Sequence, residues 1–194
     1  MGRRQRGQRP APAARTPYRG PGWKQHPTLG VDVGGVIVAL AGREEDTSFF
    51  GTRPLETPAT VGVFDALAKL TGSPFGGRVH VVSKAGPKVE ANTRAWLAHQ
   101  DFFGRTGVDP GNVHFVRERR DKGPVCERLG ITHFVDDRLD VLAYLETVDH
   151  RYLFTGGTEE QPAERAGADL PDWVTVVDSW PTLATLLTTE PEPR

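Results

Sequence analysis

The chain predicts an α/β fold: a single domain built on a doubly wound, parallel, Rossmann-like sheet. Three observations carry that reading. Short apolar, β-branched runs alternate with segments of helical period, the pattern of parallel βαβ units rather than hairpins. A glycine pair, Gly34-Gly35, follows the first such run and permits a tight turn with close backbone approach to a ligand. Polar groups then stand where strands end or the next helix starts: Asp32, Ser83, Lys122 and Asp136-Asp137. In an open parallel sheet the carboxyl ends of the strands share one edge, so these groups converge on one crevice.

Each element follows from local pattern. Residues 28–33 are apolar and β-branched and read as a central strand. A polar stretch follows, containing Glu44, Glu45, Asp46 and Phe49-Phe50. Thr57-Pro58 reads as an N-cap and first helical residue, with Val61, Phe64, Leu67 and Ala68 at helical spacing beyond it. Residues 79–82 form the second strand, and Pro87 opens a helix with Val89, Trp96 and Leu97 on one face. Residues 113–116 form the third strand, and a helix over 122–129 stops at Gly130. Residues 132–135 are the fourth strand, followed by a helix lined by Leu139, Leu142 and Leu145. Residues 151–154 and 173–177 are the fifth and sixth strands, and Ser179 caps a last helix through Leu183, Leu186 and Leu187. His80, His114 and His133 fall on separate strands without metal-ligand spacing and read as sheet residues.

At 194 residues the chain has room for one domain with a real core, here residues 28–194. The net charge of −1 hides a division, because residues 1–31 hold seven basic groups and no acid. Residues 1–27, rich in Pro and Gly, read as a disordered basic tail able to meet an acidic partner or nucleic acid. No segment approaches the roughly 18 apolar residues of a membrane span, and the tail lacks a signal-peptide core. Cys126 is the single cysteine, so no intrachain disulfide forms, which fits a cytoplasmic location.

The ordered set of Asp32, Ser83, Lys122 and Asp136-Asp137 resembles the haloacid dehalogenase (HAD) superfamily of phosphatases. Asp32-Val33-Gly34-Gly35-Val36 resembles the first motif, Ser83 the second, Lys122 the third and Asp136-Asp137-Arg138-Leu139-Asp140 the fourth. The resemblance spans residues 28–187. It implies strand order 5-4-1-2-3 with the first-motif strand central. The stretch after that motif is long enough only for a short flap, which implies a capless or minimally capped member.

The resemblance also implies a chemistry: hydrolysis of phosphomonoesters through an aspartyl-phosphate. Such a site must neutralise the phosphoryl oxygens while an anionic nucleophile attacks in line. Asp32 is the expected nucleophile, Ser83 a hydroxyl donor and Lys122 a fixed positive charge. Gly34 and Gly35 amides are expected to cradle phosphate oxygens, and Lys84 either meets a substrate anion or is solvated. Mg²⁺ is the expected cofactor, held by Asp32, the Gly34 carbonyl and the fourth motif, with Asp137 favoured as the direct ligand and Asp136, like Asp140, either binding through water or orienting its neighbours. Asp136 and Asp140 also have structural readings, as caps of the following helix or partners of Arg138. The substrate is expected to be phosphorylated, whether a small molecule, a nucleotide or a nucleic-acid end.

One position departs from the family pattern. Most family phosphatases carry a second Asp two residues after the nucleophile as general acid, and here that position is Gly34. Glu44, Glu45 or Asp46 of the flap are candidate substitutes. The alternative is a weak or inactive HAD-like binding or regulatory protein recruited through its basic tail.

Overall fold

A computed structural model describes residues 26–40, 50, 53–157 and 170–189. The basic tail up to residue 25 and the flap acids Glu44, Glu45 and Asp46 lie outside the described residues. The first strand, β1 (Leu29–Val31), is short and fully buried. Five strands follow: β2 (Val79–Lys84), β3 (Val113–Val116), β4 (His133–Asp136), β5 (His150–Phe154) and β6 (Val174–Val177). Every pairing between them is parallel. The spatial order is β3-β2-β1-β4-β5-β6, which is the expected 5-4-1-2-3 with β6 added outside β5.

Helices cover both faces. On one face α1 (Val63–Gly72), α2 (Pro87–His99), α3 (Phe102–Thr106) and α6 (Trp180–Thr189) pack over Leu29, Val31, Val79 and Val81. On the other, α4 (Lys122–Leu129) and α5 (Leu139–Leu142) close over Val82, Phe134 and Leu153. Period-2 alternation explains the division, since Val81 and Val82 send their side chains to opposite layers. Cys126 is fully buried in the second layer, and burial pushes its thiol up to about 12, which makes it an inert core residue.

Two elements depart from the sequence pattern. The helix expected to start at Pro58 begins at Val63 instead, after Gly62 at φ 79°. Ala59 is held in an antiparallel bridge to Val38, so residues 57–60 are extended and Val61 is 89% exposed. A distant strand partner therefore overrides the local Thr-Pro signal. The helix after β4 is a single turn, α5, although Leu142 and Leu145 are both buried as expected. At the other end of the chain, Ser179 Oγ accepts the Thr182 N–H at 3.3 Å, as an N-cap should.

Candidate active site

Asp32 is the first residue beyond β1, and its N–H donates to the Val135 carbonyl of β4 at 3.0 Å. The β1–β4 register, which aligns Val31 with Val135, brings Asp136 beside Asp32. Asp32, Asp136 and Asp137 each offer a carboxylate oxygen within 4.8 Å of the other two. Three carboxylates so close repel strongly unless cations neutralise them.

Lys122 supplies one such cation. It is 1% exposed, and its Nζ lies 2.7 Å from Asp136 Oδ2 and 3.1 Å from Asp32 Oδ1. The contact to Asp136 is an aligned hydrogen bond. The contact to Asp32 is an ion pair only, and that buried oxygen has no hydrogen-bond partner among the described residues. Burial works against the lysine's charge, but Asp136 and Asp32 outweigh it and hold the ammonium pKa above its ordinary value. Burial pushes Asp136 up to about 6, with Lys122 pulling it down and Asp32 pushing it up. Asp137 is raised well above the carboxylate range by burial, then by Asp136 and Asp32. One lysine does not balance this cluster. A buried Asp32 oxygen that meets the lysine only as an ion pair, among hard carboxylate donors, fits a divalent cation such as Mg²⁺.

The fourth-motif acids divide their work. Both Asp136 oxygens are engaged, Oδ2 by Lys122 and Oδ1 by the Arg138 N–H at 3.0 Å. Asp136 thus braces the Asp-Asp-Arg turn while it holds the lysine, but it does not cap α5, whose N-cap is Arg138 with no side-chain cap hydrogen bond. Asp140 pairs with the Arg138 guanidinium at 3.1 Å on the surface. Pairing with Arg138 is therefore realised in the fold, and capping of the following helix is not.

Ser83 is 2% exposed at the end of β2 and has no side-chain hydrogen bond among the described residues. The β1–β2 register, continued two residues past Val31–Val81, sets Ser83 beside Val33. Lys84 follows it, half-buried, on the alternate side of the strand.

The turn after Asp32 is built from its own backbone. The Val33 carbonyl accepts the N–H groups of Ile37 and Val38, both at 2.9 Å. Gly35 takes φ 73°, and a Cβ there would stand 2.5 Å from Asp137 Oδ2, so only glycine fits. The expectation for Gly35 needs correction, because its N–H donates to the Val38 carbonyl at 2.8 Å. Its amide is spent on the turn, and the Gly34 amide is the one without a backbone acceptor among the described residues. Gly34 itself does not take a positive φ.

Sequence reasoning missed what holds this turn from outside. The Trp180 indole donates to the Val36 carbonyl at 2.9 Å and lies 3.0 Å from Thr60 Oγ1. Thr60 Oγ1 donates to the same carbonyl. Trp96 donates from α2 to the Thr57 carbonyl at 2.7 Å, which secures the returning arm of the flap. Trp180 is 144 residues from Val36, and no local signal announces such a contact. Phe50, the one flap aromatic among the described residues, is 1% exposed and packs into the core.

No protein-family model and no curated protein matches this chain. Among solved structures, D,D-heptose 1,7-bisphosphate phosphatase from Burkholderia thailandensis aligns at 17% identity and TM-score 0.56, covering 84% of this chain and 99% of that one. A haloacid dehalogenase-like family hydrolase from Xanthomonas campestris aligns at 12% identity and TM-score 0.53, covering 86% and 97%. A HAD family hydrolase from Deinococcus radiodurans R1, with bound phosphate and sodium, aligns at 13% identity and TM-score 0.54, covering 85% and 99%. The parallel sheet centred on β1 and these three neighbours agree: the chain has the haloacid dehalogenase-like fold.

Proposed function

We propose that this protein is a Mg²⁺-dependent phosphomonoesterase that works through an aspartyl-phosphate on Asp32. The observation that carries the reading is the arrangement of Asp32, which stands at the end of the central strand, 13% exposed, beside both a buried lysine and two further carboxylates. An anion so placed is accessible enough to attack and is supported by a charge that cannot swing away. The three named neighbours bear on the fold, and the phosphatase among them agrees with this reading.

Asp32 attacks the phosphorus in line and breaks the P–O ester bond, the leaving oxygen departing as its anion and taking a proton from solvent. Water then attacks the phosphorus of the acyl phosphate, which releases inorganic phosphate and a proton and restores the carboxylate. Lys122 offsets charge on Asp32 throughout, with Asp136 holding the ammonium in place. Ser83, whose hydroxyl has no partner among the described residues, donates to a phosphoryl oxygen, and the Gly34 amide donates to another. The metal would be held by Asp32, the Gly34 carbonyl and Asp137, whose carboxylate is not committed to Lys122; it would neutralise phosphoryl oxygens. Asp136 orients the lysine rather than binding the ion directly. Residues 28–194 form the catalytic domain, and the basic tail is dispensable for turnover. Among the described residues no helix is long and apolar enough to cross a membrane, and we place the activity in the cytoplasm.

The test is hydrolysis of p-nitrophenyl phosphate with Mg²⁺. Asp32→Asn is expected to abolish turnover while circular dichroism stays native, and EDTA to abolish it reversibly. Full activity in EDTA would remove the metal, and full activity of Asp32→Asn would remove the nucleophile. No turnover by the unaltered protein on any phosphomonoester would favour the binding-protein alternative.

A further inference from the structure

Charge is unevenly distributed around the crevice. The segments that leave β2 and β3 at the carboxyl edge, residues 84–94 and 117–121, carry a net charge of +3, whereas residues 136–140 beyond β4 carry −2. The two basic segments are joined: the Ala85 N–H donates to the Val116 carbonyl at 3.0 Å, and the Arg117 guanidinium donates to the Ala85 carbonyl. Lys84 follows Ser83 directly, and Arg119 and Arg120 belong to the single turn that ends at the active-site Lys122.

The acids in these segments are already engaged. Glu90 takes both Arg94, at 3.2 Å, and Arg117, at 3.0 Å. Glu118 and Asp121 cap their own turn in a reciprocal box. Lys84, Lys88, Arg119 and Arg120 are left with no acid partner among the described residues. Four cations without acid partners along one sheet edge give that edge a positive potential that attracts an anion. Lys122 and the metal that the carboxylate cluster would hold answer the charge of the phosphoryl group at Asp32, so an anion drawn to the β2–β3 edge is a second one.

Resting on the phosphatase reading, we propose that the β2–β3 edge is a second anion subsite, and that the substrate is a phosphomonoester bearing a second phosphate group. Arg119 and Arg120 offer planar donor forks suited to phosphate oxygens, and Lys88 adds a mobile point charge. A terminal phosphate of a small bisphosphate and the phosphodiester of a nucleotide chain present this same chemistry.

The test reads binding rather than turnover, on the full chain carrying Asp32→Asn, by calorimetry with Mg²⁺. Adenosine 3′,5′-bisphosphate is expected to bind roughly tenfold tighter than adenosine 5′-monophosphate or 3′-monophosphate, since a charge-assisted contact is worth at least that much. Adding Lys88→Glu and Arg120→Glu should erase the gain while monophosphate affinity stays within about twofold. Rising salt should erase it as well, because the cations are at the surface. Equal affinity for all three ligands, or an unchanged gain after the charge reversals, overturns the subsite. A 5′-phosphorylated dinucleotide that matches the bisphosphate assigns the second anion to a phosphodiester, and one that matches the monophosphate assigns it to a terminal phosphate. Turnover of p-nitrophenyl phosphate by the unaltered protein tests the phosphatase reading separately, so either conclusion can fall alone.

Discussion

The indole of Trp180, at the start of α6, donates a hydrogen bond to the carbonyl of Val36, four residues past Asp32, at 2.9 Å in a fully buried setting. A residue near the end of the chain thereby sets the path of the turn that presents the proposed nucleophile. Trp180→Phe keeps the ring and removes the donor, leaving Thr60 alone on that carbonyl. The expected loss is about 1–2 kcal/mol in urea unfolding. If the bond also positions the turn, kcat should fall while KM changes little, and Thr60→Val should reproduce the effect where Thr60→Ser does not. Unchanged kcat in both Trp180→Phe and Thr60→Val would make the bond purely structural.

Lys122 is the sole cation touching both Asp32 and Asp136 among the described residues. Lys122→Met strands a fully buried carboxylate, and breaking such a pair costs about 3–5 kcal/mol. Turnover should vanish with it. The double variant Lys122→Met/Asp136→Asn should recover much of the stability and none of the activity. Chemical denaturation of the four proteins gives the cycle, and strict additivity would mean that the pair is not coupled.

Gly34 leaves no carboxylic acid two residues beyond the nucleophile, so departure of a poor leaving group should go unassisted. Aryl phosphates should then be hydrolysed about 10²–10⁴-fold faster than alkyl phosphates, the range that general acid catalysis supplies. Gly34 does not take a positive φ, whereas Gly35 does. Gly34→Asp therefore carries no left-handed backbone penalty and should narrow the gap, while Gly35→Ala collides with Asp137 and loses activity outright. The measurement is kcat/KM against leaving-group pKa, and a flat dependence in the unaltered protein would mean that another residue already supplies the proton.

His133 is buried against His150, with ring centroids 4.4 Å apart. Burial, reinforced by His150, pulls its pKa down from 6.5 to about 3. Above pH 6.5 both folded and unfolded chains hold it neutral, and there is no effect. Below that, the unfolded chain binds a proton that the folded chain refuses, so stability falls as the pH drops from 6.5 toward about 3. At pH 5 the expected loss is about 2 kcal/mol relative to pH 7.5. His133→Phe should remove that part of the acid sensitivity, and identical pH profiles for the two proteins would show that His133 titrates normally.

Much of this molecule was legible in its sequence because the relevant forces are local. Alternating apolar runs and helical spacings marked all six strands and placed Asp32, Ser83, Lys122 and the Asp136-Asp137 pair at strand ends or helix starts, since periodicity and turn chemistry act over a few residues. Tertiary structure alone decided the rest. The Val38–Ala59 bridge delayed α1 past the Thr57-Pro58 signal. Lys122 claimed Asp136 across 14 residues, which leaves Asp137 outside that hydrogen bond. Trp180 reached Val36 across 144 residues, and Gly35 spent its amide inside the turn. These choices depend on which groups meet in three dimensions after burial has removed water as a partner, and buried polar groups then take whatever partner the packing brings.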